Sequence, residues 1–254
     1  MTAQLTLALV GGTGLTELED AAETLVFDTP YGAPSAPVRV VETEPLRLLF
    51  LPRHGSPHRF PPHCVNYRAN MWALREAGAN QVLAVSAVGG ISRGYAPGTL
   101  AAPDQLIDYS WCREHTYCDS ENVPLVHVDF SHPYEGPLRR ALLTSAANRS
   151  IEIIDGGCIG VFQGPRLESA AEVERARRDG CDMAGMTSLP EAGLARELGL
   201  DYAGIAVISN FGAGVSDELI SEDDIAETLR EPMTRVRALV RAVVEMLATQ
   251  EQQS

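Results

Sequence analysis

The sequence predicts one α/β domain, and three observations predict it. Short apolar runs recur along the chain, helical patterns lie between several of them, and neither a repeat nor a linker divides the 254 residues. The runs LTLALV (5–10), LRLLFL (46–51), QVLAVSAV (81–88), CIGVF (158–162) and YAGIAVIS (202–209) are predominantly apolar. Buried strands read this way when both faces are covered. Residues 66–78 place Met71, Leu74 and Ala77 on one stripe before Gly78, a helix with a glycine stop. Residues 190–199 open on Pro190 and close on Gly199, the usual helical asymmetry. In 223–248, Ile225, Leu229, Val236, Leu239, Val240, Val243 and Leu247 recur at helical spacing. In VFQGPRLESA (161–170) a Gly-Pro corner ends an apolar run, Glu168 follows, and a helix begins beyond it.

Composition narrows the chemistry. Apolar residues make up 45%, enough for a sizeable core, and the formal net charge of −14 would repel nucleic acids and acidic membranes. No basic residue precedes Arg39, and no apolar run approaches a membrane span, so neither a secretory signal nor a transmembrane helix is expected. Five cysteines without CxxC pairs suit a reducing cytoplasm. All twenty basic residues are arginines. The absence of lysine excludes a standard P-loop, Schiff-base chemistry and lysine-anchored pyridoxal phosphate. An anion site here must use arginine, histidine, hydroxyls and backbone N–H groups.

Several loops offer those groups. The first run enters GGTG (11–14), either a plain turn or an anion cradle of amides and the Thr13 hydroxyl; the dinucleotide fingerprint fails because its third glycine falls at Glu17. The second run enters PRHGSPHRFPPH (52–63), where Arg53, His54, His58, Arg59 and His63 surround prolines. It is either a solvated loop or the positive ligand loop of an acidic chain. Ser86 lies where 81–88 ends, Met186 and Thr187 precede the helix at Pro190, and Asn210 ends 202–209. Thr187 or Ser188 can equally be an N-cap. Cys112, His115 and Cys118 have CxxHxxC spacing, but structural zinc takes four ligands and no fourth is near, so no metal site is expected.

The ordered stretches GGTGL, PRHG, VNYRANMWAL, SAVGG, QGPRLESAAE, GMTSLPEAGLA and SNFGAG resemble the family of purine nucleoside and methylthioadenosine phosphorylases over nearly the whole chain. HRFPPH–VNYRAN and REHTY–FSHPY are similar to its bacterial branch acting on S-methyl-5'-thioinosine. The resemblance implies a mixed, twisted central sheet flanked by helices, a cytoplasmic homotrimer, and no cofactor, with inorganic phosphate as co-substrate. It implies a phosphate site of Thr13, Arg53, His54, Ser86, Ala87 and Thr187, with Arg53 as a bidentate clamp. It implies substrate contacts at Met186, Leu167 and His127, and base contacts at the catalytic pair Glu168 and Asn210. A carboxylate accepts from the N1–H of a 6-oxopurine and an amide donates to its N7 or O6, whereas adenine reverses the pattern. The expected reaction is phosphorolysis of 5'-methylthioinosine; a general 6-oxopurine nucleoside phosphorylase and a non-catalytic nucleoside-binding module are the alternatives. His127, Phe130 and Tyr134 are expected to wall the pocket across a subunit interface. The 5' wall is expected in 219–226, with Glu222 in register where thioether-specific relatives are apolar, or Ile220 or Asp223 if the register shifts.

Overall fold

A computed structural model describes residues 5–16, 23–43, 46–121, 123–217 and 219–252. Among them eleven strands form one mixed sheet: β1 (Thr6–Gly11), β2 (Glu23–Leu25), β3 (Val38–Thr43), β4 (Leu46–Pro52), β5 (Gln81–Gly90), β6 (Leu100–Ala102), β7 (Gln105–Asp108), β8 (Ile154–Asp155), β9 (Cys158–Val161), β10 (Met183–Gly185) and β11 (Asp201–Phe211). Five α-helices flank it: α1 (Tyr67–Glu76), α2 (Pro137–Asn148), α3 (Ala170–Arg178), α4 (Ser188–Glu197) and α5 (Glu222–Gln252). All five apolar runs are strands, as the sequence predicts.

The sheet runs β2-β3-β4-β1-β5-β10-β9-β7 and branches at β5, whose other partner, β11, carries β6 and then β8. β5 pairs in parallel with β1 over Gln81–Ala84 and with β11 over almost its full length, then antiparallel with β10 at Gly89 and Gly90. One strand therefore leads into the centre of the molecule with neighbours on both edges, and its C-terminal end meets the ends of β10 and β11. Ligand sites in open α/β sheets form at such strand ends.

Both faces are covered, which is why the strands show no polar alternation. Leu7 and Leu9 of β1 pack with Phe50, Leu83, Leu142, Val236 and Leu239 against α2 and α5. Ala8 and Val10 face the other way, toward Leu51, Met71, Leu74, Leu194 and Tyr202 with α1 and α4.

Local chemistry sets the helix ends. The Asn66 side chain accepts from the Ala69 amide at 3.1 Å, and Gly78 takes φ +95° just past the end of α1. α3 begins with a capping box between Ser169 and Glu172, directly after Glu168. Thr187 makes no side-chain cap bond, and Leu189 is extended (φ −117°, ψ 139°), so the regular part of α4 starts at Pro190. The two- to four-residue strands β2, β6, β7, β8 and β10, and also β3 and α2, lie in stretches too short or too mixed to carry a clear period.

Candidate active site

The site grows from the loops after β1, β4 and β10 and from Ser86 and Ala87 within β5, joined by the loop after β9 and by Asn210 near the end of β11. The Arg53 amide donates to Gly11 O at 2.8 Å, tying the loop after β4 to GGTG. A β-carbon on Gly12 would lie 2.8 Å from Arg53 Nη1 and 2.7 Å from Val85 O, so only glycine lets these segments approach. The Ser86 and Thr187 hydroxyls lie 3.2 Å apart. Thr13, Arg53, Ser86 and Thr187 thus stand on segments in mutual contact, with Ala87 next along β5.

Arg53 is almost fully buried, 1% exposed, yet it is not free to clamp an anion with its forked edge. Nε donates to Glu191 Oε2 at 2.6 Å, Nη2 donates to Glu191 Oε1 at 2.8 Å, and Nη1 donates to Val85 O at 2.9 Å. The bidentate geometry expected for phosphate is spent on Glu191, leaving the outer Nη hydrogens toward the glycine loop. Burial opposes the Arg53 charge, and Glu191 more than offsets it, so the guanidinium pKa is raised. The Tyr202 hydroxyl also donates to Glu191 Oε1, at 2.9 Å. Sequence reasoning missed Glu191, although a carboxylate among apolar residues right after Pro190 is a signal of a buried partner.

His54 is also buried, and its Nδ1 lies 2.8 Å from Phe60 O. A carbonyl only accepts, so Nδ1 carries the hydrogen and Nε2 is left as an acceptor. Burial and then the Arg53 charge push the His54 pKa down to about 4, so the ring is neutral at pH 7. His58 stacks on it with centroids 4.4 Å apart.

The corner Gly164–Pro165, with Gly164 at φ +62°, turns the chain from β9 toward Glu168. A β-carbon on Gly164 would sit 2.6 Å from Met186 Sδ, so this corner touches the Met186–Thr187 loop. Glu168 is half-buried and Leu167 is 42% exposed. Burial raises the Glu168 pKa above the usual carboxylate value. The segment following Asn210 abuts the residues following Glu168: a β-carbon on Gly214 would lie 2.7 Å from Ala170 Cβ.

Asn210 follows a register shift between Ile208 and Asn210 in the β11–β5 ladder, which turns its side chain out of the regular pleat. Its Nδ2 donates to Phe211 O at 2.8 Å, and its Oδ1 accepts from Ser209 Oγ at 2.7 Å. These contacts fix the amide's orientation and leave one Nδ2 hydrogen to donate.

A cleft of about 570 Å³ opens beside Asn210, and Leu219, Ile220, Ile225, Asp224 and Thr228 are among its lining residues. Glu222 is exposed at the start of α5 and does not line it. Of the three registers, Ile220 lines the cleft, together with Ile225, while Glu222 and Asp223 at the start of α5 are exposed. Asp224 lines the cleft as well; its Oδ2 accepts from Ser221 Oγ at 2.5 Å, and its amide donates to the same Oγ at 3.1 Å.

The expectations for 127–134 divide. His127 is exposed beside Leu125 and Val126. Tyr134 is not a wall facing another subunit. It is 1% exposed, its ring tilted by 38° against that of Tyr202 with centroids 5.8 Å apart, in a space that Gly204 leaves open. Phe130 is half-buried against the same core. Among the described residues, no group of three or more histidine, cysteine or acidic side chains gathers as a metal site, Cys112, His115 and Cys118 included.

Comparisons with known proteins show what the chain is similar to. The family model of the phosphorylase superfamily matches residues 6–245. A protein of Xanthomonas campestris named probable S-methyl-5'-thioinosine phosphorylase is 49% identical over 227 residues, covering 89% of this chain and 90% of its own. A Pyrococcus furiosus 6-oxopurine nucleoside phosphorylase is 38% identical, covering 95% and 92%. The structure of a methylthioadenosine phosphorylase from Schistosoma mansoni in complex with adenine superposes with a TM-score of 0.93 at 29% identity, covering 96% of this chain and 92% of its own.

Proposed function

The chain belongs to the phosphorylase superfamily, and from that premise we propose that it cleaves the N-glycosidic bond of 5'-methylthioinosine with inorganic phosphate, giving hypoxanthine and 5-methylthioribose 1-phosphate. The observation that carries the substrate reading is the cleft beside Asn210, walled by Ile220 and Ile225 with Glu222 outside it. An apolar wall suits a thioether, and a buried unpaired carboxylate there would be costly. The names of the Xanthomonas and Pyrococcus relatives support an oxygen, not an amine, at C6.

Breaking the C1'–N9 bond leaves a cation-like sugar and an electron-rich purine. Asn210 donates its remaining Nδ2 hydrogen to N7 or O6 and stabilises the charge that develops there. Glu168 accepts from N1–H. Met186 and Leu167 contact the sugar side. Phosphate lies among Thr13, Ser86, Ala87 and Thr187, with the outer Nη hydrogens of Arg53 donating to it and neutral His54 accepting from its protonated oxygen. It stabilises the sugar cation and captures C1', so no protein nucleophile is required. The protein works without metal or organic cofactor, as a cytoplasmic homotrimer in which His127, flanked by exposed Leu125 and Val126, reaches a neighbouring subunit.

Asp224 at the cleft favours a second reading, a general 6-oxopurine nucleoside phosphorylase, because a carboxylate accepts from a 5'-hydroxyl. Release of free hypoxanthine that depends on phosphate, with the sugar phosphate as co-product, tests the activity. Tight nucleoside binding with no phosphate-dependent release would identify a binding module.

A further inference from the structure

Arg113 lies in the irregular stretch between β7 and α2, outside every role assigned above, yet it makes more hydrogen bonds to the site's loops than any residue assigned to substrate. Nη1 donates to Met186 O and Leu189 O, each at 2.7 Å. Nη2 donates to Phe162 O at 3.0 Å and Gln163 O at 2.8 Å, and Nε donates to Gln163 Oε1 at 3.2 Å. Five acceptors, all uncharged, meet the five N–H groups of one guanidinium. They belong to two loops: Phe162 and Gln163 lead into the corner that carries Glu168, while Met186 and Leu189 bracket Thr187. The stretch itself is anchored on both sides, since the Trp111 amide donates to Gln163 Oε1 at 3.2 Å and the Tyr117 amide donates to Glu197 Oε2 at 2.7 Å.

We propose that Arg113 is a positioning residue that fixes the Glu168 loop and the Met186–Thr187 loop relative to each other. Past the ends of β9 and β10, carbonyls of the two loops converge on this one guanidinium. A planar, always-charged fork satisfies carbonyls from both loops at once; a lysine ammonium has three donors around one nitrogen and cannot span the same set. The two loops already touch at Gly164 and Met186, so the distance from the base-recognising carboxylate to the sugar contact is set by whatever holds their backbones. The chemistry here is one of positioning, and misplacements of about 1 Å cost on the order of 10²-fold. Of the phosphate contacts only Thr187 lies on these loops, whereas Leu167, Glu168 and Met186 all face the nucleoside, so the larger effect falls on the nucleoside.

This proposal rests on the phosphorylase reading for its kinetic test, and a second readout makes it independent. In Arg113→Lys the expected result is a kcat/KM for the nucleoside lowered on the order of 10²-fold, with nucleoside KM raised several-fold more than phosphate KM. Arg113→Gly should recover activity with added guanidinium ion but not with sodium chloride at equal ionic strength. Equal effects on the two substrates, or an unchanged nucleoside KM, overturn it. Hydrogen exchange needs no substrate: amides in 162–168 and 186–189 should exchange faster in Arg113→Lys while β1 and β5 stay protected. Unchanged exchange in both loops overturns the proposal whatever reaction the protein performs. Absence of phosphorolysis in the wild type, with the loops loosened by Arg113→Lys, overturns the functional reading alone.

Discussion

Arg53 and Glu191 form a two-point ion pair at 2.6 and 2.8 Å, with side chains 1% and 0% exposed, beneath the loops after β1 and β4. The pair holds the guanidinium so that its outer edge faces GGTG. Glu191→Ala leaves that cation buried and unpaired, and should destabilise the protein by about 3–5 kcal/mol. Urea unfolding checks this; a loss below about 1 kcal/mol would mean that water reaches the pair, since exposed pairs contribute no more than that.

Replacing both charges separates stability from function. Arg53→Met with Glu191→Leu removes the pair without orphaning either partner, so it should lose less stability than Glu191→Ala alone. Its phosphate KM should still rise far more than its nucleoside KM, because the cation is gone. Initial rates with each substrate varied decide it, and equal shifts would remove Arg53 from the phosphate site.

Glu168→Ala and Asn210→Ala should each lower kcat/KM for 6-oxopurine nucleosides on the order of 10²-fold or more. Glu168→Ser with Asn210→Asp reverses the donor and acceptor pattern and should shift preference toward 6-aminopurines. A double variant that loses hypoxanthine release without any relative gain on methylthioadenosine would place base choice elsewhere.

His54 gives a pH dependence with a definite sign. Its folded pKa of about 4 lies below the ordinary 6.5, so between these values the unfolded chain binds a proton that the folded chain does not. Stability therefore falls as pH drops from 6.5 toward 4, by on the order of 3 kcal/mol from this residue. Glu168, whose pKa burial raises, contributes in the opposite sense, gaining stability as it protonates. Unfolding midpoints across that range should fall less steeply in His54→Asn; an identical slope would show that His54 is protonated in the fold.

The strands and most site loops were legible because their signals are local. Five apolar runs, the stops at Gly78 and Gly199, and the Gly164–Pro165 corner need no knowledge of distant contacts. Glu191 and Arg113 were not legible for the converse reason. Glu191 meets Arg53 across 138 positions, and Arg113 meets Met186 across 73, so neither side chain announces its partner locally. Arg113 also sits inside the Cys112–His115–Cys118 spacing, where the cysteines and histidine, not the arginine, draw the eye. Tyr134 misled because an aromatic residue in a loop reads the same whether it fills a core or faces a subunit. The choice among Ile220, Glu222 and Asp223 was not legible because the start of α5 decides which side chain faces the cleft and which faces water.

The measurement that tests the central claim most directly is kcat/KM for 5'-methylthioinosine and for inosine on the wild-type protein, each with and without phosphate. A thioether against Ile220 and Ile225 should favour methylthioinosine by roughly 10- to 200-fold, the range for a small apolar group in an apolar pocket. Turnover of both should vanish without phosphate. Inosine cleaved as well as methylthioinosine, or better, would contradict the account and assign Asp224 to a 5'-hydroxyl.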